Sequence, residues 1–418
     1  MTKGAGLGQI SYFYDEPMPN RHAASIQILR TGAEHARQGV PFRLHCGALS
    51  ADPTGVLAQY GLQPTTGLNI EPLYPRRWLG RLRPLVARRR TDRAVRRAEP
   101  PGRHVVVARG AAAFDLLPRL AKARDAGGLP PETVLIFEMH RLLYLKPDEA
   151  AAGASVEDLA PCTPEARVLY PRERAAFRAA DGVACVSEGL AEAAQSQFGA
   201  HRVLLLPGGT DVRPPPEAAP NKRYDLVYAG KLERRKGLFD LLEALGHLPG
   251  VTLAVAGGGP DAVAAARAIA ERLGVADRVD FLGWVAPADV PALLQSARIG
   301  CCPLPQGVDH VSDSFTVPLK MLQMMGLGLP IVATDIGPVR NLVEHEVHAL
   351  LPPPSAPSAL ADAARRLIGD EALSRRLGSA ARARAESYAW PNRAARFATF
   401  AEELPMSGER PASAIKPG

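Results

Sequence analysis

Two short stretches of this chain crowd cations where an anion would be needed to offset them. The first is GKLERRKG, residues 230–237, with Lys231, Arg234, Arg235 and Lys236 between Gly230 and Gly237. It follows the apolar run 225–229 and precedes a helical pattern at 238–248. The spacing predicts a strand, a basic turn and a helix. Cations there meet the positive end of the helix dipole, which costs free energy unless an anion neutralises them. A phosphate or diphosphate is the natural occupant. The Walker pattern GxxxxGK[ST] is absent, and an exposed basic turn is the plain alternative.

The second stretch is DHVSDSFTVPLKMLQMMGLGLPIVAT, residues 309–334. Thr316 is a candidate helix cap, with Pro318 near the first helical position. Lys320 in that first turn opposes the usual preference for Asp or Glu, which again suggests an anion. Gln323, one turn beyond Leu319, is expected to turn its amide toward the same place. The competing reading is an amphipathic helix that simply buries its methionines and leucines. In the first half, LIFEMH puts His140 at the end of an apolar run. A histidine there is more often a satisfied polar residue than a reactive one.

These residues need elements to hold them. Runs rich in Val, Ile and Leu at 9–13, 42–46, 104–108, 134–138, 183–186 and 203–206 form one series. Those at 225–229, 252–256, 279–282, 299–302 and 331–333 form a second. Most are continuous rather than alternating, as strands covered on both faces of a parallel sheet are. Segments at 25–38, 238–248, 261–273 and 358–367 carry apolar residues at helical spacing. This alternation predicts an α/β, doubly wound fold. The pattern pauses at PGGTDVRPPPEAAPNKR, 207–223, which reads as a linker. The expected organisation is a domain over 1–210, a linker over 211–223 and a second domain over 224–388. A helix over 389–405 is expected to pack back on the first domain, followed by a polar tail over 406–418. Two Rossmann-like domains would face each other across a cleft at the carboxyl ends of both sheets, where open α/β sheets take ligands.

Composition narrows the classes. A chain of 418 residues suits two or three domains, and 46% hydrophobic content excludes wholesale disorder. No apolar run approaches the length of a membrane span, and no secretory signal is expected. Five cysteines (Cys46, Cys162, Cys185, Cys301, Cys302) without CxxC spacing argue against a disulfide framework or a structural zinc site, and for a cytoplasmic location. The adjacent Cys301 and Cys302 read as packing residues. The GGG at 257–259 lacks the GxGxxG pattern of a nicotinamide cofactor site, and Ser187 lacks the GxSxG elbow of a hydrolase. Ser187 reads instead as a helix cap. The net charge of +7 is concentrated: from Arg76 to Arg103 there are eleven arginines against Asp92 and Glu99. A solvated face is the bland reading. Interleaved Trp78, Leu79, Leu82, Leu85 and Val86 also fit peripheral contact with anionic lipid at the inner membrane face. No nucleic-acid motif accompanies the charge.

Together these segments resemble family 4 glycosyltransferases with the GT-B fold. GKLERRKG is similar to the GRLxxxKG turn of that family, and PLKMLQMMGLGLPIVATDIG to its PLKxxEYMAxGxPVVAxxxG segment. LAVAGGGP, VDFLGWVAPADVPALLQSARIGCCP, PNRHAASIQILRTGAEHARQGV, LIFEMH and AADGVACVSEGL resemble further family stretches in the same order. The resemblance covers nearly the whole chain. It implies retaining transfer of a sugar from a nucleotide-sugar, UDP favoured and GDP possible, to an unknown carbohydrate, lipid or small-molecule acceptor. No metal or other cofactor is implied.

The resemblance also implies roles. Lys231, where the family has Arg, and Lys236 would hold the donor diphosphate, with the backbone of Pro318, Leu319 and Lys320. Gly283 and Val285 match the turn facing the base. His140 matches a histidine over the donor sugar. Asn20, Arg21 and His22 lie in an opening loop that closes on phosphates or acceptor in relatives. Gly230 and Thr316 belong to the same donor-binding segments. Two departures stand out. Gln323 occupies the place of a ribose-binding Glu, and Phe315 lies where its partner Glu is expected, leaving Asp313 or Asp309 as nearby acids. Those changes motivate a rival reading, a non-catalytic nucleotide-binding scaffold or regulatory subunit.

Overall fold

The computed structural model describes residues 6–20, 22–74, 83–96, 102–144, 163–214, 222–307, 315 and 317–405. The chain forms two compact units. One comprises residues 1–149, 154–207 and 393–418, and the other 150–153 and 208–392. Arg21, Asp309, Asp313, Thr316 and Cys162 lie outside the described residues, as do Trp78, Leu79 and Leu82.

The first unit is built on seven parallel strands: β1 (Leu7–Tyr14), β2 (Phe42–Cys46), β3 (Leu68–Pro72), β4 (Arg103–Arg109), β5 (Thr133–Met139), β6 (Gly182–Cys185) and β7 (Val203–Leu205). Their order in the sheet is β3-β2-β1-β4-β5-β6-β7. Both faces are covered, so β4 and β5 are buried along their whole length, which is why they read as unbroken apolar runs. Ile10, Tyr12, Leu44, Val107 and Ile136 pack with Ile28, Leu29 and Ala33 of the helix Ala23–Arg37. Phe397, Ala401 and Leu404 of the last helix, Trp390–Glu403, join the same core. Burying each such aliphatic side chain is worth about 1.5–3 kcal/mol. Arg103 belongs to this core and not to the basic surface expected from the sequence. It opens β4, is 9% exposed, and donates to the carbonyls of Ala401 and Leu404.

The second unit repeats the plan with five parallel strands: β8 (Tyr224–Ala229), β9 (Leu253–Ala256), β10 (Val279–Gly283), β11 (Ala297–Cys302) and β12 (Ile331–Ala333). Their order is β10-β9-β8-β11-β12. Side chains of β8 alternate between the two cores: Leu226 and Tyr228 on one face, Val227 and Ala229 on the other. Residues 208–214 run with this unit. Thr210 donates its N–H to the Tyr388 carbonyl at 2.9 Å, and its own carbonyl accepts from Trp390.

In both sheets the order reverses beside the first strand, between β1 and β4 in one unit and between β8 and β11 in the other. Loops leaving adjacent strands there diverge to opposite faces and open a crevice at their carboxyl ends. Among the described residues, the sequence-predicted site residues follow the carboxyl ends of strands in these two sheets. Among the described residues no helix is long and apolar enough to cross a membrane.

Candidate functional site

In the second unit, β8 ends at Ala229 and the basic turn follows at once. A short 3₁₀ turn, Arg234–Lys236, leads into the helix Leu238–Gly246. Gly237 joins them with φ 76°, and a Cβ there would overlap the Pro303 carbonyl oxygen at the end of β11. Only glycine satisfies both demands. Gly257 has φ 131° and lies against the Gly230 carbonyl in the same way. Its N–H donates to the Gly283 carbonyl at 2.6 Å, while the Gly230 N–H donates to Ala256 at 2.9 Å. Backbone from three strand ends therefore meets at Gly230, Gly257 and Gly283. Val285, two residues on, packs against the core and is only part-exposed.

Tyr228 is the organiser of the basic turn. It is fully buried, and its hydroxyl donates to the carbonyls of Lys231 at 2.7 Å and Lys236 at 3.2 Å. The turn is thus held by its backbone, which leaves the lysine side chains free of that duty. Lys320 arrives from the other segment. Its Nζ lies 4.1 Å from the centre of the Tyr228 ring, a cation–π contact. A Cβ on Gly230 would stand 3.7 Å from the same nitrogen.

The electrostatics are those of a cationic pocket. Lys320 is half-buried as a residue, yet its Nζ is buried and makes no hydrogen bond among the described residues. Burial holds its pKa below the usual lysine range, against the opposite pull of the Cys302 and Cys301 thiols. Lys236 is lowered to about 8 by burial, then by Arg235 and Lys320. Lys231 behaves differently: it is exposed and pairs with Glu233 at 3.4 Å, while Arg235 takes the other oxygen of that carboxylate at 2.7 Å. An anion in this pocket would return the hydration that Lys236 and Lys320 lose on burial.

The helix carrying Lys320 is Leu319–Gly326, and its cap is Pro318, where the sequence reading had Thr316 as the cap and Pro318 near the first helical position. The amphipathic reading of this helix is borne out. Met321, Leu322, Met324 and Met325 are buried in the core, while Leu319, Lys320, Gln323 and Leu327 are part-exposed on the other side. Positions 320, 323 and 327 share a face by helical spacing, so Gln323 lies on the Lys320 side.

In the first unit, His140 follows β5, and Gly110 follows β4 beside it. A Cβ on Gly110 would lie 3.9 Å from the His140 ring. Burial, then Arg109, Arg141 and His22, hold the imidazole pKa well below its ordinary value, so the ring is neutral at pH 7. Two residues earlier on the same strand face, Glu138 is 4% exposed and fully engaged. It accepts from Tyr12 at 2.7 Å, Arg393 at 3.0 Å, Gln27 at 3.2 Å and Arg109 at 3.4 Å. Those cations keep it ionised despite its burial.

Asn20 takes a structural role. Its Oδ1 accepts from the His22 N–H at 2.9 Å and Ser25 Oγ at 2.7 Å, which fixes the entry to the helix Ala23–Arg37. Its backbone is clasped by the Tyr60 hydroxyl. His22 is exposed, with Nδ1 3.5 Å from the Tyr14 hydroxyl. Sequence reasoning missed Tyr228, Glu138, Arg109 and Arg393. Tyr228 sits in an apolar strand and reads as core. Arg393 lies 255 residues from its partner Glu138. Among the described residues no group of three or more His, Cys, Asp or Glu could hold a metal.

Known proteins share this fold. Residues 223–370 match the family described as glycosyl transferases group 1. Anabaena Alr3699/HepE, solved in complex with UDP, superposes with a TM-score of 0.65 at 22% identity, over 94% of this chain and 98% of that one. Sucrose-phosphate synthase from Thermosynechococcus elongatus superposes with 0.68 at 19% identity, over 95% and 99%. The fold is the GT-B fold, and residues 223–370 carry the sequence pattern of the glycosyl transferases group 1 family.

In sequence, the chain is similar to a D-inositol 3-phosphate glycosyltransferase of Xylanimonas cellulosilytica, 28% identical over 292 residues, 62% of this chain and 64% of that protein. It is equally similar, at 28% over 340 residues, to a GDP-mannose-dependent alpha-(1-6)-phosphatidylinositol monomannoside mannosyltransferase of Mycobacterium tuberculosis, over 70% of this chain and 86% of that one. The chain spans 40–64% of the length of three inositol-phosphate relatives that it matches.

Proposed function

We propose that the chain is a retaining glycosyltransferase that moves a sugar from a nucleotide-sugar to a hydroxyl acceptor, with UDP the favoured nucleotide and no metal required. The observation that carries this reading is the buried Lys320 Nζ beside Gly230, which has no hydrogen-bond partner among the described residues and lies in the field of Lys236. A diphosphate supplies the missing charge. The bond between the anomeric carbon and the phosphate oxygen breaks, and the acceptor oxygen bonds that carbon from the same face. The acceptor proton passes to the departing phosphate, so no strong protein base is needed. Lys236, Lys320 and the backbone amides near 317–320 stabilise the developing negative charge, with Lys231 reaching in from its exposed position. We assign the neutral His140 imidazole the role of hydrogen-bonding a hydroxyl of the transferred sugar.

The UDP and UDP-glucose complexes of the Anabaena protein support the donor class. Relatives named for D-inositol 3-phosphate and phosphatidylinositol monomannoside support an inositol-bearing acceptor. Calorimetry and thermal shift against UDP, GDP, ADP and their common sugars test the donor, because a ligand of the folded state raises its stability. One nucleotide-sugar is expected to stabilise the protein, and Lys236→Ala to remove most of that shift. The absence of a shift with every donor would sink the reading. Gln323 favours a second reading, a nucleotide-binding scaffold, because an amide lacks the charge-assisted bond a carboxylate makes to ribose. Donor binding without turnover, restored to turnover by Gln323→Glu, would select it.

A further inference from the structure

The helix Pro164–Ala179 carries a fully buried carboxylate, Glu173, that the pocket described above does not use. Its oxygens accept the backbone N–H of Leu143 at 3.0 and 3.1 Å and that of Tyr144 at 3.2 Å. These residues follow His140 by three and four positions. The chain has left the sheet after Met139, so the ladder no longer satisfies its N–H groups, and a buried N–H needs an acceptor. The same helix grips the segment again through Tyr170, one turn before Glu173. Its ring meets the buried Tyr144 ring edge to face at 5.1 Å, and the Tyr144 hydroxyl donates to Gln197 at 3.0 Å. Leu142 and Tyr144 are both 1% exposed, so the segment after His140 is anchored in the core by side chain and backbone alike.

We propose that Glu173 is a positioning residue for His140, fixing residues 141–144 by their backbone so that the imidazole at the end of β5 keeps one placement. The proposal rests on the assignment of His140 to the transferred sugar. A carboxylate suits the task because one group accepts two converging N–H donors, where an apolar side chain would leave both unsatisfied in the core. Burial raises the Glu173 carboxyl to about 7, while the two N–H groups and Arg141 pull the other way. The group is thus retained against its own desolvation.

The test uses the full chain with Glu173→Ala, Glu173→Gln, His140→Ala and the double variant Glu173→Ala/His140→Ala. Amide exchange at 141–144, UDP affinity and kcat with a UDP-sugar donor are measured. Glu173→Ala is expected to speed exchange at Leu143 and Tyr144 and to lower kcat roughly tenfold or more, with UDP affinity unchanged within about twofold. Glu173→Gln, whose amide oxygen still accepts, is expected to restore most of both. In the His140→Ala background the same change is expected to add less than about twofold, because its effect passes through His140. An equal loss in both backgrounds overturns the proposal, as does an unchanged kcat alongside faster exchange. Should Glu173→Ala fail to fold, Glu173→Asp replaces it and must lose kcat where Glu173→Gln keeps it. If the wild-type protein transfers no sugar, the proposed function fails on its own. The exchange data then decide the latch: unchanged protection of Leu143 and Tyr144 in Glu173→Ala rejects it, and faster exchange there supports it.

Discussion

The two units share one strand order but treat charge at the point of reversal in opposite ways. At the carboxyl ends of β4 and β5, Glu138 lies between Arg109 and Arg393 with Tyr12 and Gln27 completing its shell. At the carboxyl ends of β8 and β11, Lys320 has a buried ammonium with no hydrogen-bond partner among the described residues, and Lys236 is pressed toward neutrality beside it. The first set of charges is paired within its own unit, whereas the second is cationic among the described residues. Topology supplies a strand-end crevice in both cases, and the two differ in how their charges are partnered.

The largest expected effect breaks the satisfied side. Glu138→Ala leaves two buried guanidiniums without their carboxylate and should cost about 3–5 kcal/mol of stability. Denaturant unfolding checks it, and a loss within experimental error would show that the network is solvated. Acid comes next. Burial lowers His45 and His104 to about 4 each in the first unit. A histidine that resists protonation only when folded loses stability as pH falls below about 6.5, down to its folded value. Each should withdraw about 3 kcal/mol by pH 4. His45→Phe/His104→Phe should flatten that limb in a pH series of melting curves. Persistence of the full limb in that double variant would assign it to other groups.

On the open side, Lys236→Ala should weaken UDP binding by about 1.5–3 kcal/mol, or 10- to 100-fold, while Glu138 and His140 variants leave it nearly unchanged. The sign with pH follows from the lowered Lys236 value. The charged form binds the anion, so UDP affinity should fall as pH rises through about 8, and Lys236→Ala should lose that dependence. Calorimetry between pH 6.5 and 9.5, as a rough working range, covers the transition. A pH-independent affinity in the wild type would remove Lys236 from the pocket. Smaller still, Gln323→Glu should tighten UDP about threefold to tenfold by restoring a charge-assisted bond to a ribose hydroxyl. A weaker complex would mean that Gln323 faces phosphate instead. A last prediction lies away from the basic turn and concerns Arg88, Arg89 and Arg90, which are exposed on the helix Arg83–Arg96. Neutralising all three should reduce binding to anionic vesicles by about 1 kcal/mol per arginine near the surface, and high salt should mimic the loss. Equal binding by the variant rejects a lipid contact for that helix.

Much of the cationic cluster around the basic turn was legible because its residues are close in sequence. GKLERRKG is a contiguous turn, and its cations announce an anion wherever a strand hands over to a helix. Lys320 was legible for the same reason, as a cation in the first turn of a helix. The sequence reading did not foresee that Lys231 is exposed and paired with Glu233, nor that the Asn20 amide holds the His22 N–H and Ser25 Oγ at a helix entry. It counted Arg103 with the surface arginines although that side chain is buried against the last helix. In each case residue type was a sound guide to chemistry, but the available partner was set by packing.

The sequence by itself determined the alternation of strands and helices, the basic turn, the glycines and the order of the motifs, because hydrophobic period and turn chemistry are local properties. Only the tertiary structure decided that Tyr228 would hold the basic turn and carry Lys320 on its ring, that Arg393 would close on Glu138, and that Glu173 would reach the backbone beyond His140. Those pairings join residues far apart in the chain. Their strength comes from burial, which no window of neighbouring residues records.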